Sequence, residues 1–358
     1  MQPFNFTIPK KSVIHLSGTR EIKAVDAWKI AVIGSIIFAA LIWVLGFNLV
    51  RFIDVLLPDQ GASWYYWKLP ERNTVYMLIV WALYLIHQVG AWGGIYWAQR
   101  NLKGKLTSRN LSKYNLFMLL WNGIFMVLHL VETHLLFDGL AQDVPIWTSQ
   151  GSVILMLVFV LIIENRRRGF ILGKRLDKPF TAEVISFFRR IHMYIVAWAL
   201  VYTFWFHPMA VDPQLVSGFI YMFFLFTQMS LAWTWIHLDT GWIVFLESYV
   251  AIHALIVAVY NTLQHGSADM WPMFFAGFAF MFIFTQQFGL KLTRRLNVSI
   301  IGAFVGFLAW LYLPSPYGYG RGLEYIMRAE FLWIPIILYL LALVFGGAVF
   351  LAQKIYEK

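Results

Sequence analysis

Ten stretches of mostly apolar residues run through this chain, most of them about 20 residues long, enough to cross a hydrocarbon core of about 30 Å as a helix. They fall at roughly 28–50, 75–98, 115–137, 146–164, 188–206, 215–236, 242–262, 272–290, 298–313 and 331–352. Backbone N–H and C=O groups in lipid must pair within the chain, so such stretches fold as helices that pack on one another. Composition agrees. Only 13% of the 358 residues are charged, against about 25% in a soluble domain, while 60% are hydrophobic and mean hydropathy is +0.66. The expected fold is an all-α polytopic integral membrane protein: an arm at 1–27, a single bundle of about ten transmembrane helices at 28–353, and a tail at 354–358.

The net charge of +10 is not spread as in a nucleic-acid-binding domain. It sits in short clusters between apolar stretches: Arg100 to Arg109, Arg166 to Arg175, Arg189 with Arg190, and Lys291 to Arg295. With ten spans these loops share one side, while "FDGLAQDVP", "HPMAVDP" and "QHGSADMWP" share the other. Positive loops mark the cytoplasmic face, which places both termini in the cytoplasm. The tight inner turn "HLDTG" at 237–241 is the exception, having no Lys or Arg. The N-terminal "MQPFNFTIPKKSVIHLSGTREIK" is polar for too long to be a secretory signal and reads as a cytosolic arm. Cysteine is absent, which excludes disulfides, thiolate zinc sites, cysteine-ligated iron–sulfur clusters and covalent c-type haem. A weak likeness links "GFIYMFFLFTQ" at 218–228 to "GFAFMFIFTQ" at 277–286.

Ionisable residues inside a membrane are costly and point to function. At 1.5 Å per residue, His87, His129 and His253 each lie about 12–18 Å below the outer surface, near the midplane, on three different spans. An outer layer holds His134, Asp138, His207, His265 and Asp269, and an inner layer His192, His237, Asp239 and Glu247. Two imidazoles from facing helices can ligate haem iron, and the glycines of "HQVGAWGG" at 87–94 would admit a macrocycle. The same residues also serve as glue between helices, with glycine allowing close packing. His192 and His207, 15 residues apart on one span, lie about 22 Å apart along it, as paired ligands of two haems would.

"HLVETHLLFD" at 129–138 holds two histidines and two carboxylates. His129 and Glu132 are three apart and share a helix face; His134 and Asp138 are four apart and share another. His129 and His134 are five apart, about 140° around the axis, so one metal cannot bridge them. The stretch therefore splits into a buried pair and a surface pair. The outer histidines His134, His207 and His265 with Asp138 would suit copper, zinc or non-haem iron, or form a polar rim. Trp64, Tyr65, Tyr66 and Trp67 read as an interfacial belt.

These patterns point to a membrane-embedded redox subunit that binds haem b, or copper or iron held by His, and exchanges electrons with quinone. His87, His129, His253, His192 and His237 are the cofactor ligands in that reading, with Glu132 and Glu247 as proton relays. The alternative is a cofactor-free transporter or a scaffold for other membrane subunits. A metal-dependent membrane hydroxylase is a further alternative, although dense H-x-x-H clusters are absent.

Overall fold

A computed structural model describes residues 21–58, 65–104, 107–265 and 270–356, giving Gln264 and His265 as helix backbone only. The described residues are helical, with no strand: α1 (Ala24–Leu45), α2 (Val50–Ile53), α3 (Thr74–Asn101), α4 (Lys113–Leu136), α5 (Ile146–Arg168), α6 (Ala182–Phe206), α7 (Pro213–Ser230), α8 (Thr240–His265), α9 (Trp271–Phe284), α10 (Arg294–Tyr312), α11 (Leu323–Met327) and α12 (Trp333–Tyr356). Nine helical stretches among them are long and apolar enough to cross a membrane. Exposed Ile30, Ile37, Leu120 and Leu340 give the outer surface an apolar character compatible with lipid.

The stretch expected as a tenth span, 215–236, departs from the others. Its helix, α7, stops at Ser230 and is not among those nine. Gln214, Ser217, Tyr221 and Gln228 recur at helical spacing and make one face polar. A helix with such a face avoids lipid, and α7 is central: it packs against α1, α4, α6 and α8, with Phe219, Phe223 and Phe226 buried. A second cluster, built from α5, α6, α9 and α12, adjoins through α6.

The start of α1, the 102–112 segment and the turn after α7 come together at one end of the bundle. There the 102–112 segment meets the start of α1 through Ala24 N–H to Arg109 O (2.8 Å) and meets the turn after α7 through Trp235 N–H to Ser108 O (3.1 Å). Arg109, Arg166, Arg175, Lys178 and Lys291 lie in or beside the loops at this basic end.

Helix starts follow from sequence. Asn73 caps α3, accepting from Val75 N and Tyr76 N. Asp212 caps α7 ahead of Pro213, and Ser112 with Asn115 forms a capping box on α4. Phe137, left-handed at φ 51°, ends α4. A Cβ on Gly90 would lie 2.2 Å from the Trp121 ring, so this glycine admits an aromatic from α4. The 315–330 loop is held by Glu330, which accepts from Arg321 Nη2 (2.5 Å) and Tyr312 OH (3.2 Å).

Asn115 is a tie between helices as well as a cap: its Nδ2 donates to Ser230 O and Ala232 O, both at 2.8 Å. Asn115→Ala would orphan two buried carbonyls and is expected to destabilise the bundle by ~2–4 kcal/mol, read as a lowered midpoint of thermal unfolding in detergent.

Candidate functional site

The buried pair in "HLVETHLLFD" forms, and the surface pair does not. His129 Nδ1 lies 2.9 Å from Glu132 Oε2. His129 Nε2 donates to the backbone carbonyl of His207 at 2.8 Å, so the second ring nitrogen is also used. One proton sits between Nδ1 and the carboxylate, which leaves the pair neutral in sum. Glu132 Oε1 accepts from Asp138 N (3.2 Å). Asp138 accepts from Arg72 Nη1 and from Gly139 N, both at 2.6 Å, and Arg72 also grips Asp143. Because α4 ends at the left-handed Phe137, Asp138 leaves the helix and the four-residue spacing no longer joins it to His134. Both His134 ring nitrogens instead face carbonyls, of Leu130 (2.8 Å) and Leu45 (3.2 Å).

His87 is also enclosed. Its Nδ1 accepts from Trp205 Nε1 (3.2 Å), which fixes the tautomer, and its Nε2 donates to Asn122 Oδ1 (3.0 Å). The ring stacks on Phe125 with centroids 4.3 Å apart and planes 4° apart. His87 and His129 are electrostatic neighbours around Phe204 and Trp205. His253 stands apart from them, against Ser217.

Four imidazoles behave differently. His192 Nδ1 donates to Arg189 O (2.7 Å) and His237 Nδ1 to Gln228 O (2.9 Å). His253 Nδ1 lies 2.9 Å from Ser217 Oγ, whose own proton goes to Gln214 O, so Nδ1 is the donor. Each of these three rings has Nε2 as the bare nitrogen, without a hydrogen bond among the described residues. His207 Nδ1 meets Tyr65 OH at 3.2 Å, and that hydroxyl also faces Phe206 O at 3.3 Å. His237 lies within electrostatic reach of His192, and both His253 and His129 lie within reach of His207. Burial, reinforced by His253 and His129, holds the His207 pKa down to about 3. Burial also lowers that of His237, against the pull of its bond to Gln228 and of Glu164. Tyr65, expected at the interface, is only 6% exposed, and burial followed by the Asp138 charge raises its pKa.

Between α7 and α8 a polar seam runs the length of α7. Asn261 Nδ2 donates to Gln214 Oε1 (2.8 Å), Ser217 meets His253, Tyr221 stacks on Tyr249 (5.3 Å), and Gln228 Nε2 donates to His237 O (3.0 Å). Glu247 lies beside Tyr221 and binds Arg168, while Arg167 binds Glu164. Several buried atoms along this seam and beside it have no partner, among them Gln214 Nε2, Asn261 Oδ1, Gln228 Oε1, Gln286 Oε1, Gln287 Oε1 and Arg168 Nε.

Among the described residues no three His, Asp or Glu side chains gather closely enough to hold a metal ion, so His134, His207 and Asp138 do not form the outer set expected from sequence. The side chain of His265, and Asp269, lie outside the described residues. Sequence spacing missed Arg72, which organises Asp138 from another loop, and the α7–α8 seam, whose signal was the recurrence of Gln214, Ser217, Tyr221 and Gln228. Comparison with protein-family models, curated proteins and solved structures finds no match.

Glu132→Gln or His129→Gln alone breaks a buried charge-sharing pair and is expected to cost ~3–5 kcal/mol, with the double variant less damaged than the sum, as a thermal-unfolding double-mutant cycle would show. For His207, the unfolded chain takes up a proton below pH ~6.5 and the folded chain does not. Stability therefore falls as pH drops from ~6.5 toward 3, by up to ~1.4 kcal/mol per pH unit from this group. Melting midpoints between pH 7.5 and 5 should fall more steeply for the wild type than for His207→Gln.

Proposed function

We propose that this chain is a multi-pass membrane redox subunit that holds haem b or another imidazole-ligated metal, with its basic end in the cytoplasm. One observation carries the reading: four buried or half-buried imidazoles, His192, His237, His207 and His253, none with a hydrogen bond on Nε2 among the described residues. Metal-ligating histidines commonly donate their other ring nitrogen to a carbonyl or similar acceptor, which fixes tautomer and ring orientation. His192 and His237 carry that bond to carbonyls and His253 carries it to a hydroxyl. Haem in such a site supplies one-electron transfer.

The chain's own groups do the rest. His192 on α6 and His207, just past its end, stand 15 residues apart, about 22 Å along the helix axis, so ligands at the two positions divide most of the bilayer thickness between them. Burial keeps His207 neutral, as a ligand must be. Tyr65 and the His207 backbone lie in the network that leads through His129, Glu132 and Asp138 to Arg72 at the surface. Glu247, tied to Arg168, lies near the basic end beside Tyr221. His87 and His129, with both ring nitrogens engaged, act in this reading as ties that hold α3, α4 and α6 in register.

The α7–α8 seam favours a second reading, a cofactor-free transporter that moves protons or small polar solutes along Gln214, His253, Glu247 and Gln228. In either reading other membrane subunits are expected partners.

The deciding measurement is the dithionite-reduced minus oxidised spectrum, with metal analysis, of protein purified from haem-replete membranes. A sharp α band is expected, diminished by His192→Ala, His237→Ala, His207→Ala or His253→Ala and retained in His87→Gln. A folded, colourless, metal-free protein overturns the redox reading and leaves transport along the seam.

A further inference from the structure

At the end away from the basic loops, the α7–α8 seam opens into a cavity of about 260 Å³. Ile53 and Leu56 form its apolar side, Trp67 and Tyr260 are among its aromatic lining, and Gln214 contributes an amide. Gln214 is 5% exposed, yet its Nε2 has no hydrogen-bond partner, and neither does Oδ1 of Asn261, to which it is bonded. A buried amide group left unpaired costs about 1–3 kcal/mol, and one in the lining of a cavity marks a place where a ligand completes the set.

We infer that this cavity receives the head group of a quinone or quinol. The unpaired atom in the lining is a neutral donor, Gln214 Nε2. A quinone carbonyl, or the oxygen of a quinol hydroxyl, accepts from this amide, so both forms are served. An anion would find no cation among the lining residues. The Asp212 carboxylate, also in the lining, is already engaged: its Oδ1 accepts from Gln214 N (2.7 Å) and Leu215 N (3.2 Å) as the cap of α7, and it is hydrogen-bonded to Tyr260. Aromatic walls suit a flat ring, and the Ile53–Leu56 side suits the first units of an apolar tail. The site also lies close to His253. Ser217, which holds His253, is one helical turn from Gln214. Its redox meaning rests on the function proposed above, but binding does not.

Oxidised protein in lipid nanodiscs, with and without bound cofactor, is titrated with decylubiquinone by calorimetry. Saturable binding is expected, weakened at least tenfold by Gln214→Leu, which removes the donor. Ile53→Trp, which fills the apolar side without touching either amide, should abolish it. Folding of each variant is checked by circular dichroism and thermal unfolding. No saturable binding by the wild type, or binding indifferent to both substitutions, overturns the inference. Binding to a colourless protein retains this site and sinks the redox proposal; a haem spectrum with no saturable binding, or with binding indifferent to both substitutions, does the reverse.

Discussion

The structure depends on the fact that a polar helix face has no partner in lipid. α7 has Gln214, Ser217, Tyr221 and Gln228 along one side, and hydrocarbon would leave each of them unsatisfied. The bundle answers by surrounding α7 with α1, α4, α6 and α8 and by placing Asn261, His253, Tyr249 and His237 opposite that face. Neighbouring helices obey the same rule at other levels. Asn115 reaches the last turn of α7, and Asn122 joins His87 to Ser230. Polar contacts thus specify which helices are neighbours, while the aromatic packing around Phe204 and Trp205 fills the space between them.

That rule also divides the histidines. His87, His129 and His134 have acceptors or donors at both ring nitrogens, and such a ring is a cross-brace. His192, His237 and His253 have a partner at Nδ1 alone, and such a ring is oriented but still has a lone pair to offer. Depth alone does not separate the two groups, because His129 and His253 lie at comparable levels by sequence. What separates them is the chemistry opposite Nε2, a carbonyl in one case and nothing in the other.

Much of the fold was legible in the sequence, because apolar length is a local signal: nine of the ten apolar stretches recur, among the described residues, as helices long enough to cross a membrane. The sharing of a face by His129 and Glu132 was legible for the same reason, being a property of one helix. Departures arise where a local rule meets a tertiary one. Helical spacing joined His134 to Asp138 until Phe137 turned left-handed and released the carboxylate toward Arg72, 66 residues away. The run Tyr65, Tyr66 and Trp67 resembles an interfacial belt by composition, yet Tyr65 is drawn inward by a hydrogen bond to a histidine 142 positions later. What each imidazole meets was beyond spacing altogether, since His253 finds Ser217 on another helix and His207 finds Tyr65 in a loop.

The bond from His129 ends on the backbone oxygen of position 207, not on its ring. Every residue type presents that oxygen, so the tie between α4 and the end of α6 is indifferent to what position 207 carries. Position 129 has no such latitude, since it must supply a donor there and a partner for Glu132 at once. The architecture therefore insulates the scaffold from the side chain at 207: a substitution there leaves the tie between α4 and the end of α6 in place.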